Sequence, residues 1–144
     1  ALSINFCRRL GVEPVNSGNG TESGLSLLRA LIEYWTATQA PFEQVMFDLR
    51  GGAASSERLT KSPIAELYSD PSFQPVAALL AETFQMAGNA NLDHGYFQRA
   101  TPRTMLIDEV EAIWQPIAEA DDWSLLHSTL SEIADMRDAY RATP

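Results

Sequence analysis

From Thr101 to Tyr140 the chain reads TPRTMLIDEVEAIWQPIAEADDWSLLHSTLSEIADMRDAY, and no other stretch shows so clear a helical period. Leu106, Val110, Ile113, Trp114 and Ile117 fall at i, i+4, i+7, i+8 and i+11, a spacing that lines one side of an α-helix with apolar groups. Asp108, Glu111 and Gln115 take the other side. Thr101 is placed to cap this helix and Pro102 to fill its first position, where a missing N–H costs nothing. Pro116 cannot donate to the Ala112 carbonyl and crowds that turn, so a kink or restart is expected there. Asp121 or Asp122 then opens a second helix, striped by Trp123, Leu126, Leu130, Ile133 and Tyr140. The pattern predicts an antiparallel pair with Trp114 and Trp123 buried between the helices and the rest of the chain packed against them.

The preceding residues read as shorter helices divided by proline and glycine. Leu2, Phe6 and Leu10 form a short stripe stopped by Gly11, with Pro14 beyond. Asn16 to Gly20 (NSGNG) is a loop by its turn residues. It fails as a phosphate cradle, because no Lys follows in the GxxxxGK[ST] arrangement and no strand-like run precedes it. A helix from Thr21 should turn Leu25, Leu28, Leu31, Ile32 and Trp35 inward. Pro41 restarts a short helix with Phe42, Val45, Met46 and Leu49 on one side, ended by Gly51 and Gly52. Residues 53–72 suggest short turns joined by caps, and a helix with Pro75 in its first turn should run to Ala87. Asn89 to Ala100 loses periodicity and reads as an ordered loop or single turn. The expected class is all-α, one domain over 1–144 with about five to seven helices and no sheet.

A chain of 144 residues is the size of one domain and buries roughly two-thirds of its unfolded surface on folding. Its single cysteine, Cys7, forms no internal disulfide, which fits a reducing cytoplasm. The sequon Asn19-Gly20-Thr21 is read as chance. The net charge is −9, and acidic residues gather in the second half. That placement repels phosphate backbones and anionic lipid surfaces, so neither nucleic acid nor a membrane is an expected partner. A solvated acidic surface, or a docking face for a basic protein partner, remains.

Candidate chemistry is sparse. MLIDE (Met105 to Glu109) has the form of a nucleotide hydrolase's metal-binding strand, yet it lies in an amphipathic helix and lacks a phosphate loop. Asp108 and Glu111 offer two metal ligands at best, without the Glu-x-x-His pairs of di-iron bundles. His94 and His127 are isolated and read as capping or boundary residues. Cys7, beside Arg8 and Arg9, has neighbours that lower a thiol pKa, although its helical position favours a small packing side chain. No catalytic, cofactor-binding or metal residue is therefore assigned. Phe47, Tyr96 and Phe97 stand outside the apolar stripes; they are either plugs of the domain's own core or contributors to an interaction surface, and at least one should present its ring to solvent if the second reading holds.

The stretches NFCRRLGVEP (Asn5 to Pro14), APFEQVMFDLRGG (Ala40 to Gly52) and LDHGYFQRATPRTMLIDEVEAIWQPIAEADDWSLL (Leu92 to Leu126) resemble the C-terminal part of the SelO (YdiU-type) family. These are protein adenylyltransferases with a pseudokinase-like fold. The resemblance implies a parent protein that transfers AMP from ATP to protein hydroxyls with Mg²⁺ or Mn²⁺. It also implies an upstream kinase-like domain as partner, since the family's nucleotide and metal residues lie there and none maps onto this chain. Some members carry a selenocysteine or cysteine near the C-terminus, where this chain reads RDAYRATP. Ala1 as first residue, with no methionine before it, fits a fragment of a longer protein. The resulting expectation is a helical C-terminal region, catalytically silent alone, supporting the kinase-like part. The alternative is a free-standing acidic helical interaction domain without enzymatic activity.

Overall fold

The computed structural model describes residues 2–16, 18 and 20–141. Ala1, Ser17, Asn19 of the sequon and residues 142–144 of the RDAYRATP end lie outside them. Seven α-helices and one two-stranded sheet follow in the order α1 (Leu2–Leu10), β1 (Val12–Pro14), α2 (Gly20–Thr38), α3 (Phe42–Asp48), α4 (Ser56–Lys61), α5 (Gln74–Glu82), β2 (Phe84–Met86), α6 (Ile107–Ala120) and α7 (Ser124–Tyr140). The class is mostly α as expected, and the antiparallel β1–β2 pair corrects the expectation of no sheet.

The pair joins Val12 to Met86, Glu13 to Gln85 and Pro14 to Phe84. Its origin is the early end of α5, which stops at Glu82 instead of running to Ala87. From Thr83 on, the backbone bonds across instead of along: Val15 N–H donates to the Thr83 carbonyl at 2.9 Å and Ala87 N–H to the Gly11 carbonyl at 2.9 Å. Phe84 enters the core while Gln85 and Met86 face out, so the short segment buries its large ring as an extended chain better than a continued helix would. Gly11 makes the approach possible. It has φ +65°, and a Cβ there would lie 3.0 Å from Ala90 and 3.1 Å from the Arg50 guanidinium carbon.

The main core belongs to the first ninety residues: Leu10, Val12, Leu27, Leu31, Tyr34, Val45, Leu49, Val76, Leu80 and Phe84 form one buried cluster. The expectation that the chain packs around residues 101–140 is therefore overturned. α2 also faces the core by a rotated side, with Gly24, Leu27, Ala30, Leu31 and Tyr34 buried and Leu25 and Ile32 exposed. Gly24 sets that rotation, because it lets α1 come so close that a Cβ would sit 3.0 Å from Ser3 Cβ. Tyr34 completes it by stacking on Tyr68 and packing at a tilt against Phe73, with ring centroids 6.1 and 5.2 Å away. α1 follows suit, burying Ser3, Cys7 and Leu10 and leaving Leu2 in solvent.

Between α3 and α5 the chain makes the expected short turns, three of them 3-10 segments. They close over Asp48, whose buried carboxylate accepts from Gln44 Nε2 (2.9 Å), Ser62 Oγ (2.5 Å) and Tyr68 Oη (2.7 Å). Three donors satisfy the desolvated charge and tie α3 to the turns beyond α4.

Candidate functional site

Phe47, Tyr96 and Phe97 do not form an open surface. All three are buried and, with Ala139, make a second cluster that Met136 and Tyr140 complete. Phe47 meets Tyr96 edge-on at 5.4 Å, and Phe97 meets Tyr140 at 5.3 Å. Of the two readings left open for these residues, plugs of the domain's own core or an interaction surface, their burial fits the first, and the physical reason lies in α3. Gln44, Val45, Met46, Phe47 and Asp48 are all buried, so this helix is covered on every side. Val45 and Met46 face the main core, while Phe47 points to the 3-10 turn at Gly95–Gln98 and to α7. A stripe off the main face needed a second neighbour, and α7 supplies it.

What the structure leaves open is α6. Of its apolar residues only Ile113 is buried; Ile107 is 75% exposed, Val110 45% and Trp114 61%. Ile107, Val110 and Trp114 fall at i, i+3 and i+7, so they share one side of the helix. The adjoining Met105 and Leu106 are exposed as well, and so are Trp123, Leu125 and Leu130 on the α7 side. The predicted burial of Trp114 and Trp123 is thus overturned, because α6 rests chiefly on α7 and is not sandwiched against the core. The Trp123 indole N–H donates to Asp121 Oδ1 at 2.7 Å, which fixes that ring at the surface.

The base of α6 is firmly held even though its side is bare. The helix starts at Ile107, not at Pro102, because residues before it are caught in extended form: Arg103 N–H donates to Tyr96 Oη at 2.9 Å, and Glu109 folds back to accept from Leu106 N–H at 2.8 Å. Glu109 also accepts from Thr104 Oγ1 at 2.5 Å, and this bond first, with the cation of Arg103 further off, holds its carboxyl below the usual range. Arg103 lies 3.2 Å from Glu132 and 3.6 Å from Glu109, so one guanidinium pins the first turn of α6 to the middle of α7. Pro116 does not restart the helix, which is continuous to Ala120 and stops where Asp121 adopts φ +51°. Ala112 is exposed, so water can take the place of the missing proline donor at its carbonyl. Two grooves of about 410 and 530 Å³ flank Leu106 where α6 meets the body. Met105, Ile133 and Met136 line one; Pro41, Phe42 and Pro102 line the other.

From Thr104 to Met136 every Asp, Glu, Lys or Arg is acidic, so the bare apolar side of α6 lies in a run of one sign of charge, with Arg103 as the cation at its base. An apolar patch rimmed by one sign of charge is the arrangement of a protein-docking surface. It is poorly suited to pairing with its own copy, since two such frames repel.

Elsewhere the side chains considered for chemistry have structural tasks. Cys7 is buried against α2, and burial pushes its thiol pKa up, which fits the small packing side chain that its helical position favours. His94 caps the Gly95–Gln98 turn, with Nδ1 accepting from Tyr96 N–H at 3.1 Å; His127 is exposed on α7. Among the described residues no group of three His, Cys, Asp or Glu is placed to hold a metal ion, and no helix is long and apolar enough to cross a membrane. No family model, no curated protein and no solved structure matches the chain.

Proposed function

We propose that the chain is a docking and support module that acts through the open side of α6 and carries out no chemistry of its own. The observation that carries this reading is the exposure of Ile107, Val110 and Trp114 on a helix whose base is fixed by Arg103, Glu109 and Glu132. A rigid helix with an aromatic anchor and an acidic frame suits a partner surface that is apolar at its centre and basic at its edge. Following the resemblance to the SelO family, the partner is the upstream kinase-like domain, in which ATP and Mg²⁺ or Mn²⁺ would be held. The stretch that carries much of this resemblance, TMLIDEVEAIWQPIAE, contains nearly all of α6. Its exposed residues have no core-packing duty to account for them, and contact with a second domain supplies one. The lone cysteine and the acidic surface go with a cytoplasmic setting.

The test is transfer of AMP from ATP to protein hydroxyls by the whole protein, compared with its Trp114→Ala variant. Transfer that falls at least tenfold in the variant supports the reading. No transfer by either removes the adenylyltransferase assignment. Equal transfer by both removes the docking role of α6. A separate basic protein on the same face is the second reading, favoured by the unbroken acidic run itself; it predicts binding that weakens steeply as salt rises.

A further inference from the structure

A second opening lies on the other side of the aromatic cluster, between α4 and residues 92–100, and in an acidic chain its walls carry three cations beside the carboxylates of Asp48 and Glu57. Arg58 and Lys61 stand on the α4 wall and Arg99 on the facing wall of a cleft of about 410 Å³, with Leu92 and Ala54 supplying apolar surface. Arg58 is held rigidly. Its guanidinium lies over the Phe47 ring at 4.8 Å and the Phe97 ring at 5.5 Å, while its terminal nitrogens donate to the backbone carbonyls of Arg50 and Phe47. Carbonyls satisfy donors but carry no net charge, and among the described residues Arg58 has no ion-pair partner. Burial lowers its pKa, and Asp48 opposes that from beyond ion-pair distance. The Asp48 oxygens are already taken by Gln44, Ser62 and Tyr68. The guanidinium Nε–H and one N–H on each terminal nitrogen make no bond to a described residue, so the fork geometry that grips two oxygens at once is still available.

We propose that this cleft binds a phosphate monoester, with the phosphoryl group between Arg58, Lys61 and Arg99 and the organic part against Leu92 and Ala54. The volume lies at the small end of ligand pockets, which run from about 300 to 1,000 Å³. Two of the cations have carboxylate partners at present: Lys61 lies 2.6 Å from Glu57, and Arg99 lies 3.3 Å from Glu132. Glu57 and its lysine are both exposed, so this pair is weak and easily exchanged. A dianion near neutral pH competes with these single carboxylates and meets Arg58, which has no ion-pair partner among the described residues.

The experiment is an amide ¹H–¹⁵N titration of the chain with inorganic phosphate, phenyl phosphate and a phosphoserine peptide, against sodium chloride at matched ionic strength. The expected result is saturable shifts confined to residues 54–62 and 92–100. Phenyl phosphate should bind more tightly than inorganic phosphate because of the apolar wall. Lys61→Gln and Arg99→Gln should each weaken binding by about tenfold, while Glu57→Gln, which removes the competing carboxylate, should strengthen it. Lys61 and Glu57 are surface groups, so their variants keep the fold and the comparison stands even if Arg99→Gln perturbs α7. Tighter binding of the peptide assigns the phosphoryl source to a modified protein, and tighter binding of phenyl phosphate assigns it to a small molecule. Shifts that are absent, that chloride reproduces, or that the Lys61 and Glu57 variants leave unchanged overturn the proposal.

Discussion

The guanidinium carbon of Arg50 lies 4.9 Å from the centroid of the Tyr140 ring, so the last turn of α7 closes over a cation that is 1% exposed. Four main-chain carbonyls hold the same group: those of Arg8 and Arg9 at the end of α1, and of Asn89 and Ala90 in the loop after β2. One side chain thereby joins the first helix, the middle loop and the last helix. It does so without a carboxylate, using instead the negative end of the α1 dipole and two aromatic faces.

Arg50→Lys should therefore be far from conservative. An ammonium cannot reach four carbonyls arranged around a planar fork, and orphaned buried acceptors cost about 1–3 kcal/mol each. Chemical denaturation should show a loss of at least about 3 kcal/mol, and a loss below 1 kcal/mol would mean that the staple is not needed.

The aromatic cluster should be equally sensitive. Phe97 touches Phe47, Tyr96 and Tyr140 and lies under both Arg50 and Arg58. Phe97→Ala removes a fully buried ring, for which about 3–5 kcal/mol is typical. A variant that melts like the parent would place the ring in solvent, as an interaction surface demands.

Trp114→Ala should show the opposite. Substitutions at exposed positions usually change stability by less than about 0.5 kcal/mol, and Trp114 has most of its surface in water. A sharply lowered melting temperature would restore the buried helix pair that the spacing suggests.

That contrast shows what the sequence could and could not reveal. The helical period of residues 106–117 correctly marks a helix, but an apolar stripe states only that some surface must cover it, and here none in the described structure does. Conversely, Phe47, Tyr96 and Phe97 break the period and still lie in a core, because that core is assembled from a helix, a 3-10 turn and a distant last turn of α7. Local spacing cannot report such a meeting. The rotated face of α2 hinged on Gly24 and Tyr34, one too small and the other too polar to count in an apolar stripe. The short strand was hidden because Phe84 to Met86 also continues the α5 period by composition, and only its pairing with Val12 to Pro14 makes it extended.

All four tyrosines, Tyr34, Tyr68, Tyr96 and Tyr140, have pKa values raised first by burial, Tyr34 to about 12. A raised pKa means that the folded state keeps its proton when the unfolded chain loses it. The stability these groups contribute is thus complete below the ordinary value of about 10 and falls as pH rises from there through the folded values. Ultraviolet titration should find no phenolate in the folded chain near pH 10, and then a cooperative rise that coincides with loss of helical circular dichroism. A tyrosine ionising normally at pH 10 with the fold intact would contradict the burial.

At the acid end the first turn of α6 is the sensitive point. The Glu109 carboxyl is held low first by its bond from Thr104, so its contribution is present above the unfolded value near 4.3 and is lost as pH falls through the folded one. Thr104→Val should raise the Glu109 pKa toward the ordinary value, read from its carboxyl ¹³C shift. An unmoved titration would remove the hydroxyl from the cause.

The central claim is that the open side of α6 is covered by a second domain of the same protein, and amide hydrogen exchange over Ile107 to Ala120 measures this directly. The account predicts that exchange in the whole protein is slower by about tenfold or more than in this chain alone, and that Trp114→Ala restores the faster rate. Equal rates in the whole protein and in the chain alone would contradict it.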